Sequence, residues 1–150
     1  MPGPMTEQER TAFLAEPHVA VLSVAGGDAR PPSASPVWYC HQPDGNIAFF
    51  TNTQGRVAQK AGLIRATGVV SLCVHREEFP YKYVTIEGTV IGDDHPPAHE
   101  QALAVVRRYL PEDAAQGFVV AELDRPNSEF VVFTVRPDRW HTLDISAAAG

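Results

Sequence analysis

The rhythm of its apolar residues constrains this chain more than any other feature. They fall into short runs, alternating or nearly continuous, and several are separated by glycine, proline or aspartate. That is the pattern of strands joined by turns. "HVAVLSVA" (His18–Ala25) reads as a strand, "GGD" (Gly26–Asp28) as a turn, and "SPVWYC" (Ser35–Cys40) as the next strand. "QPDG" (Gln42–Gly45) turns again, with its glycine free to take positive φ, and "NIAFFT" (Asn46–Thr51) returns. Short turns between three such runs predict an antiparallel meander. "GVVSLCVH" (Gly68–His75) is almost continuously apolar, and "YKYVTIEGTVIG" (Tyr81–Gly92) alternates. Gly88 within the latter implies a bulge or a close backbone approach. "EFVVFTVRP" (Glu129–Pro137) and "RWHTLDIS" (Arg139–Ser146) are the last strands expected.

Three helices are expected between these runs. Thr6 and Glu9 have the spacing of a capping box before a short helix ending near Pro17. From Gly55 to Ala66, Val57, Ala61 and Ile64 share one face, with Leu63 beside it. In "DDHPPAHEQALAVVRRYL", Asp93 or Asp94 would cap a helix with Pro96 and Pro97 near its first turn. Its apolar stripe would be Ala102, Val105, Val106, Tyr109 and Leu110. "PEDAAQGF" reads as a loop or a short helical turn. Six or seven mostly antiparallel strands with three helices make a mainly β, α+β chain, a barrel or sandwich with helical covers.

At 150 residues the chain is expected to be one domain, 1–150, with its core between about 6 and 145. Its apolar runs are too short for a membrane span, and "MPGPMTEQER" lacks the apolar stretch of a signal peptide, so a cytoplasmic home is expected. A formal net charge of −6 argues against a general nucleic-acid surface. Cys40 and Cys73 sit in apolar, strand-like contexts without metal spacing and are expected as buried thiols.

Several chemistries lack candidate residues. His95 and His99 are four apart, but no third ligand accompanies them, so they read as a solvated helix start. No G-x-S-x-G elbow, dinucleotide fingerprint or Walker loop occurs. Glu77 and Glu78 read as a solvated loop rather than an acid/base pair. If the chain is an enzyme, a bound cofactor supplies its chemistry.

One segment points to such a cofactor. "FFTNTQGRVAQKAGL" (Phe49–Leu63) begins as a strand and ends as a helix start carrying two cations four apart, Arg56 and Lys60. A phosphate would use them: arginine gives a planar fork, lysine a point charge. A helix N-terminus adds free N–H groups, and Gly55 permits close backbone approach. An exposed, solvated helix face is the alternative. Trp38, Phe49 and Phe50 read equally as core; alternation requires one of Phe49 and Phe50 to point inward.

The same segment resembles the phosphate-binding stretch of the pyridoxamine 5'-phosphate oxidase-like superfamily, the flavin and deazaflavin split barrels. The matching residues are Thr51, Asn52, Arg56, and Lys60 with Leu63. Gly62 stands where an asparagine is common in the family. "VSLCVHREEFPYKYVTIEGTVIG" is similar to the strand–loop–strand of the actinobacterial deazaflavin-dependent branch. "VAVLSVAGGDARPPSASPVWY" is similar to the family's opening hairpin, and "VRPDRWHTL" to its closing strand. The resemblance implies a six-stranded antiparallel split β-barrel and a homodimer with the cofactor at the subunit interface. The implied contacts are Ser35, Pro36, Val37, Trp38 and the end of "FFTN" from one subunit, with the Tyr81, Tyr83 and Trp140 regions from the other. The implied cofactor is coenzyme F420, with FMN as the alternative. The implied activity is an oxidoreductase passing hydride from reduced deazaflavin to an electron-poor small molecule such as an enone, quinone or tetrapyrrole. A non-catalytic carrier of a cofactor or of haem is the rival reading. The arginine-rich C-terminal substrate segment of true pyridoxamine phosphate oxidases has no counterpart here, so pyridoxal phosphate synthesis is not expected. No proton donor stands out; His141, Tyr81 and Tyr83 are the polar residues near the expected ring.

Overall fold

The computed structural model describes residues 3–51 and 57–145, with side chains in the second stretch described from residue 60. Its described elements are α1 (Glu7–Ala15), β1 (Ala20–Val24), β2 (Ser33–Val37), β3 (Tyr39–His41), β4 (Ile47–Thr51), α2 (Val57–Thr67), β5 (Val69–Arg76), β6 (Lys82–Asp94), α3 (His99–Val106), α4 (Glu112–Leu123) and β7 (Val131–Asp144). The seven strands form one antiparallel sheet in the order β2-β1-β5-β6-β7-β4-β3.

The strand count therefore differs from the six of a split barrel, and the reason is local. The run Ser35–Cys40 is broken at Trp38, so it supplies both β2 and β3. Those strands are the two outer edges of the sheet. Trp38 alone separates them in the chain, and they do not pair with each other. The expected three-strand meander becomes two hairpins, β1–β2 and β3–β4. Gly45 turns the second at φ +93°, and its N–H donates to the Gln42 carbonyl at 2.9 Å. The two final strands expected are one, β7, because Pro137 and Asp138 stay in the sheet opposite the irregularity at Gly88. The register shifts between Glu87 and Gly88, and a Cβ there would lie 2.3 Å from Val135 Cγ1 and 2.7 Å from the Arg136 carbonyl. Gly88 is thus the bulge and close approach its position in the strand implied.

There are four described helices rather than three. α1 carries the expected capping box between Thr6 and Glu9. α3 starts later than expected, because Asp93 and Asp94 extend β6 and Ala98 takes the N-cap position. "PEDAAQGF" opens a full helix, α4, since Ala115 and Val119, four apart, both bury.

Two apolar clusters result. One is enclosed by the sheet: Leu22, Ile47, Phe49, Leu72, Ile86 and Phe133, closed by Leu14 of α1 and Ile64 of α2. The other lies outside β4 and β7, beneath α3 and α4: Ala48, Phe130, Val132, Val105, Val106 and Val119. β4 is apolar on both faces because both are covered. Phe49 points inward against Phe133, and Phe50 points outward onto Phe130, 4.7 Å between ring centroids. Cys40 and Cys73 are free thiols and only half-buried, not fully buried as expected. No described helix is long and apolar enough to cross a membrane.

Candidate functional site

The break at Trp38 positions the site. Leaving the strand frees its side chain from alternation, and the indole stacks face to face on Tyr109, 4.8 Å apart and 7° from parallel. Phe50 meets its edge at 6.0 Å and Phe118 of α4 lies at 6.1 Å. The backbone at the break is held from the helical side: the Tyr39 N–H donates to Tyr109 Oη at 3.2 Å, and Tyr109 Oη donates to the His18 carbonyl at 2.7 Å. Arg108 reinforces this by donating to the carbonyls of Tyr39, Leu14 and Glu16 at 2.8, 3.0 and 2.9 Å. The last two are orphan acceptors at the C-terminus of α1.

A cleft of about 560 Å³ opens beside this aromatic wall, lined by Val19, Ser35, Pro36, Val37, Trp38, Phe50, Thr51, Lys60 and Phe118. Six residues singled out in the sequence therefore meet in one place: Ser35, Pro36, Val37, Trp38, Thr51 and Lys60. Ser35–Val37 come from β2, Thr51 from the end of β4, and Lys60 from the first turn of α2. Its size is that of a small-molecule site.

The polar groups here are poorly satisfied. Ser35 Oγ and Thr51 Oγ1 are buried without a hydrogen-bond partner among the described residues. Most buried side-chain polar atoms are paired, so two orphans in one cleft mark a place for a ligand's polar atoms. Lys60 is half-buried, no carboxylate among the described residues pairs with it, and burial holds its ammonium below the usual lysine pKa. An unpaired, partly desolvated cation gains from an arriving anion. A phosphate with a planar ring fits this set: a cation and a helix start at one end, flat aromatic walls at the other.

Asn52, Gly55 and Arg56, the rest of the expected phosphate segment, lie outside the described residues, as does the side chain of Val57. Tyr81 and Trp140 do not line the cleft. Tyr81 is exposed and edge-on to Phe79. Trp140 is half-buried beneath Arg10, whose guanidinium carbon sits 3.8 Å from the ring centroid. His141 is engaged by Glu87 on the adjacent strand. Among the described residues no cluster of three potential metal ligands occurs.

Sequence reasoning missed Val19, Phe50 as a site residue in its own right, and Phe118. Phe118 escapes a reading of "PEDAAQGF" as a loop or short helical turn; the Ala115–Val119 spacing is the signal available for the full helix α4.

No curated protein matches the chain by sequence. Among solved structures, a conserved hypothetical protein from Mycobacterium tuberculosis superposes with a TM-score of 0.76 at 22% identity, covering 97% of this chain and 89% of that one. A protein titled F420 reductase gives 0.65 at 22% identity, covering 87% and 94%. An FAD-binding protein from Mesorhizobium loti gives 0.63 at 18% identity, covering 96% and 98%. At these identities the likeness is one of fold. Residues 6–144 match the pyridoxamine 5'-phosphate oxidase family, and the chain belongs to it.

Proposed function

We propose that the chain binds a phosphorylated flavin-type cofactor in the cleft between β2, β4 and α2 and serves as an oxidoreductase. Coenzyme F420 is the first choice and FMN the alternative. The observation that carries this reading is the convergence of unpaired Lys60 with the orphaned hydroxyls of Ser35 and Thr51 beside the Trp38–Phe50–Phe118 wall. The fold likeness to proteins titled F420 reductase and FAD-binding is consistent with it.

In this reading Lys60, with Arg56, holds the phosphate at the start of α2. The Ser35 and Thr51 hydroxyls meet polar atoms of the cofactor. Trp38, Phe50 and Phe118 keep the ring side dry and fix its plane, so that a reacting partner meets it in a defined geometry. When bound and reduced, the cofactor supplies hydride, and an electron-poor small molecule such as an enone, quinone or tetrapyrrole accepts it. Tyr81 and Trp140 would complete the site from a second copy of the chain, which would make the active form a homodimer. Phe79, Tyr81 and Tyr83, among the exposed large apolar side chains, are surface that contact would cover.

Fluorescence titration with FMN and with F420 tests the reading. Micromolar binding of either supports it, and binding of neither removes it. Binding without oxidation of the reduced cofactor by any enone, quinone or tetrapyrrole would favour a carrier.

A further inference from the structure

The cofactor cleft has a neighbour. A second cleft, of about 600 Å³, is lined by His18, His75 and Arg76 among others, and it shares Val19 and Pro36 with the first. The two clefts therefore adjoin at these residues. Resting on the cofactor reading above, we propose that the second compartment receives the hydride acceptor and that His18 is the acid that protonates it.

Two imidazoles face this compartment, and their settings differ. His75 is loosely held: its Nε2 lies 3.8 Å from Glu77, and that carboxylate is 88% exposed. His18 is built in. Its ring is 16% exposed, stacks on Phe13 with 4.5 Å between centroids, and places Nε2 2.8 Å from Glu16 Oε2. Its backbone is pinned as well, because its carbonyl accepts from Tyr109 Oη, the same Tyr109 whose ring stacks on Trp38 in the cofactor cleft. Tyr109 therefore sets the position of His18 relative to the cofactor wall. With Nε2 committed to Glu16, Nδ1 is the nitrogen left for a substrate. A carboxylate orienting one ring nitrogen while the other moves a proton is the usual arrangement of a working histidine.

The proton balance is simple. An enone that takes hydride at its β carbon from the reduced cofactor becomes an enolate, and the cofactor leaves oxidised. The Nδ1–H bond of the His18 imidazolium breaks, its electron pair stays on nitrogen, and the proton bonds to the enolate. The neutral ring that remains keeps Nε2–H donating to Glu16 and is reprotonated from solvent. The charged and titratable groups around His18 are Glu16 and Arg108 at the end of α1, the Tyr39 and Tyr109 hydroxyls, and His75, Arg76, Glu77 and Glu78 across the compartment.

The test uses the full chain loaded with whichever cofactor binds, cyclohex-2-enone as acceptor, and the variants His18→Gln and Glu16→Gln. His18→Gln should lower the enone reduction rate about 100-fold, the ordinary scale of general-acid catalysis. The cofactor dissociation constant should stay unchanged. Glu16→Gln, which removes the carboxylate that holds Nε2, should lower the rate as well at unchanged cofactor affinity. A separate readout is binding: cyclohex-2-enone added without reductant should move the His18 ring signals in the NMR spectrum of the wild-type protein. An unchanged enone reduction rate in His18→Gln overturns the proposal, as does enone binding that leaves the His18 signals still. Failure of the cofactor reading would appear instead as no FMN or F420 binding by the wild type, and it would remove this proposal too.

Discussion

Lys60→Met separates the cost of a residue to the fold from its value to a ligand. The substitution keeps an unbranched apolar stem and removes only the charge. With no carboxylate against it among the described residues, the ammonium is held in a partly buried place at a net cost. Solvent reaches its exposed half, so the cost is small, on the order of 0.5 kcal/mol. Unfolding entropy of about 2.1 cal/mol/K per residue gives roughly 0.3 kcal/mol/K for a chain of this length, so the ligand-free variant should melt about 1.5 °C higher. Its affinity should move the other way. A charged hydrogen bond to phosphate contributes roughly 1.5–3 kcal/mol, so FMN or F420 binding should weaken about 10- to 150-fold. pH gives an independent check. Burial depresses the folded-state pKa of Lys60, so below that value the group is charged in both states and the penalty is present in full. As pH rises through the folded pKa the penalty is relieved, and stability climbs until the unfolded value is passed. The wild type should show this alkaline gain and Lys60→Met should lack it. Scanning calorimetry across pH and fluorescence titration measure the three quantities. A variant that melts lower and binds the cofactor as tightly as the wild type would refute the assignment of Lys60 to a phosphate.

Thr51→Val replaces an orphaned hydroxyl by a methyl of similar shape. Thermal unfolding of the ligand-free protein should be unchanged or slightly higher, and cofactor binding should weaken by about 1 kcal/mol, read by the same titration. Gly88→Ala drives a methyl toward Val135 and the Arg136 carbonyl, so urea denaturation should register a loss of about 1–3 kcal/mol or more, without the variant touching the cleft. Arg108→Ala leaves the carbonyls of Tyr39, Leu14 and Glu16 without their charged donor. It should cost about 2–4 kcal/mol in the same assay and change the Trp38 fluorescence, because the Tyr109 stack shares that anchorage.

What the sequence disclosed follows from the range over which its signals act. Alternation and turn residues act over a few positions, so most strands, the Gly45 turn, the Gly88 bulge and the Thr6 cap are legible in it. The break at Trp38 was not legible. Nothing within Ser35–Cys40 stops the strand; Tyr109, some seventy residues on, takes the Tyr39 N–H and offers the indole a face to stack on. β7 runs unbroken through Pro137 for a related reason, since Gly88 on the partner strand absorbs the irregularity. Asp93 and Asp94 look like helix caps locally, but pairing with Val132 and Phe133 keeps them in β6. In each case a partner distant in sequence overrides a local preference. Of the cleft residues, Thr51 and Lys60 belong to a local pattern, a strand end followed by a cationic helix start, whereas Ser35–Trp38 were indicated only by the family resemblance, and Tyr81 and Trp140, indicated the same way, lie off the cleft.

That division explains why the cleft lies where it does. β2 and β3, the two edges of the sheet, are separated in the chain by Trp38 alone. The unpaired backbone at that point is satisfied by Tyr109 and Arg108, side chains from the turn that follows α3, and not by another strand. Ser35 and Thr51, on the strands either side of the break, line the cleft with hydroxyls that have no partner among the described residues. The same two anchors reach the end of α1 and the His18 carbonyl. The interruption at Trp38, the orphaned hydroxyls and the fixed position of His18 are thus one structural event. A substitution that released Tyr109 from Trp38 should disturb the cofactor cleft and the acceptor compartment together, whereas Lys60→Met should disturb only the first.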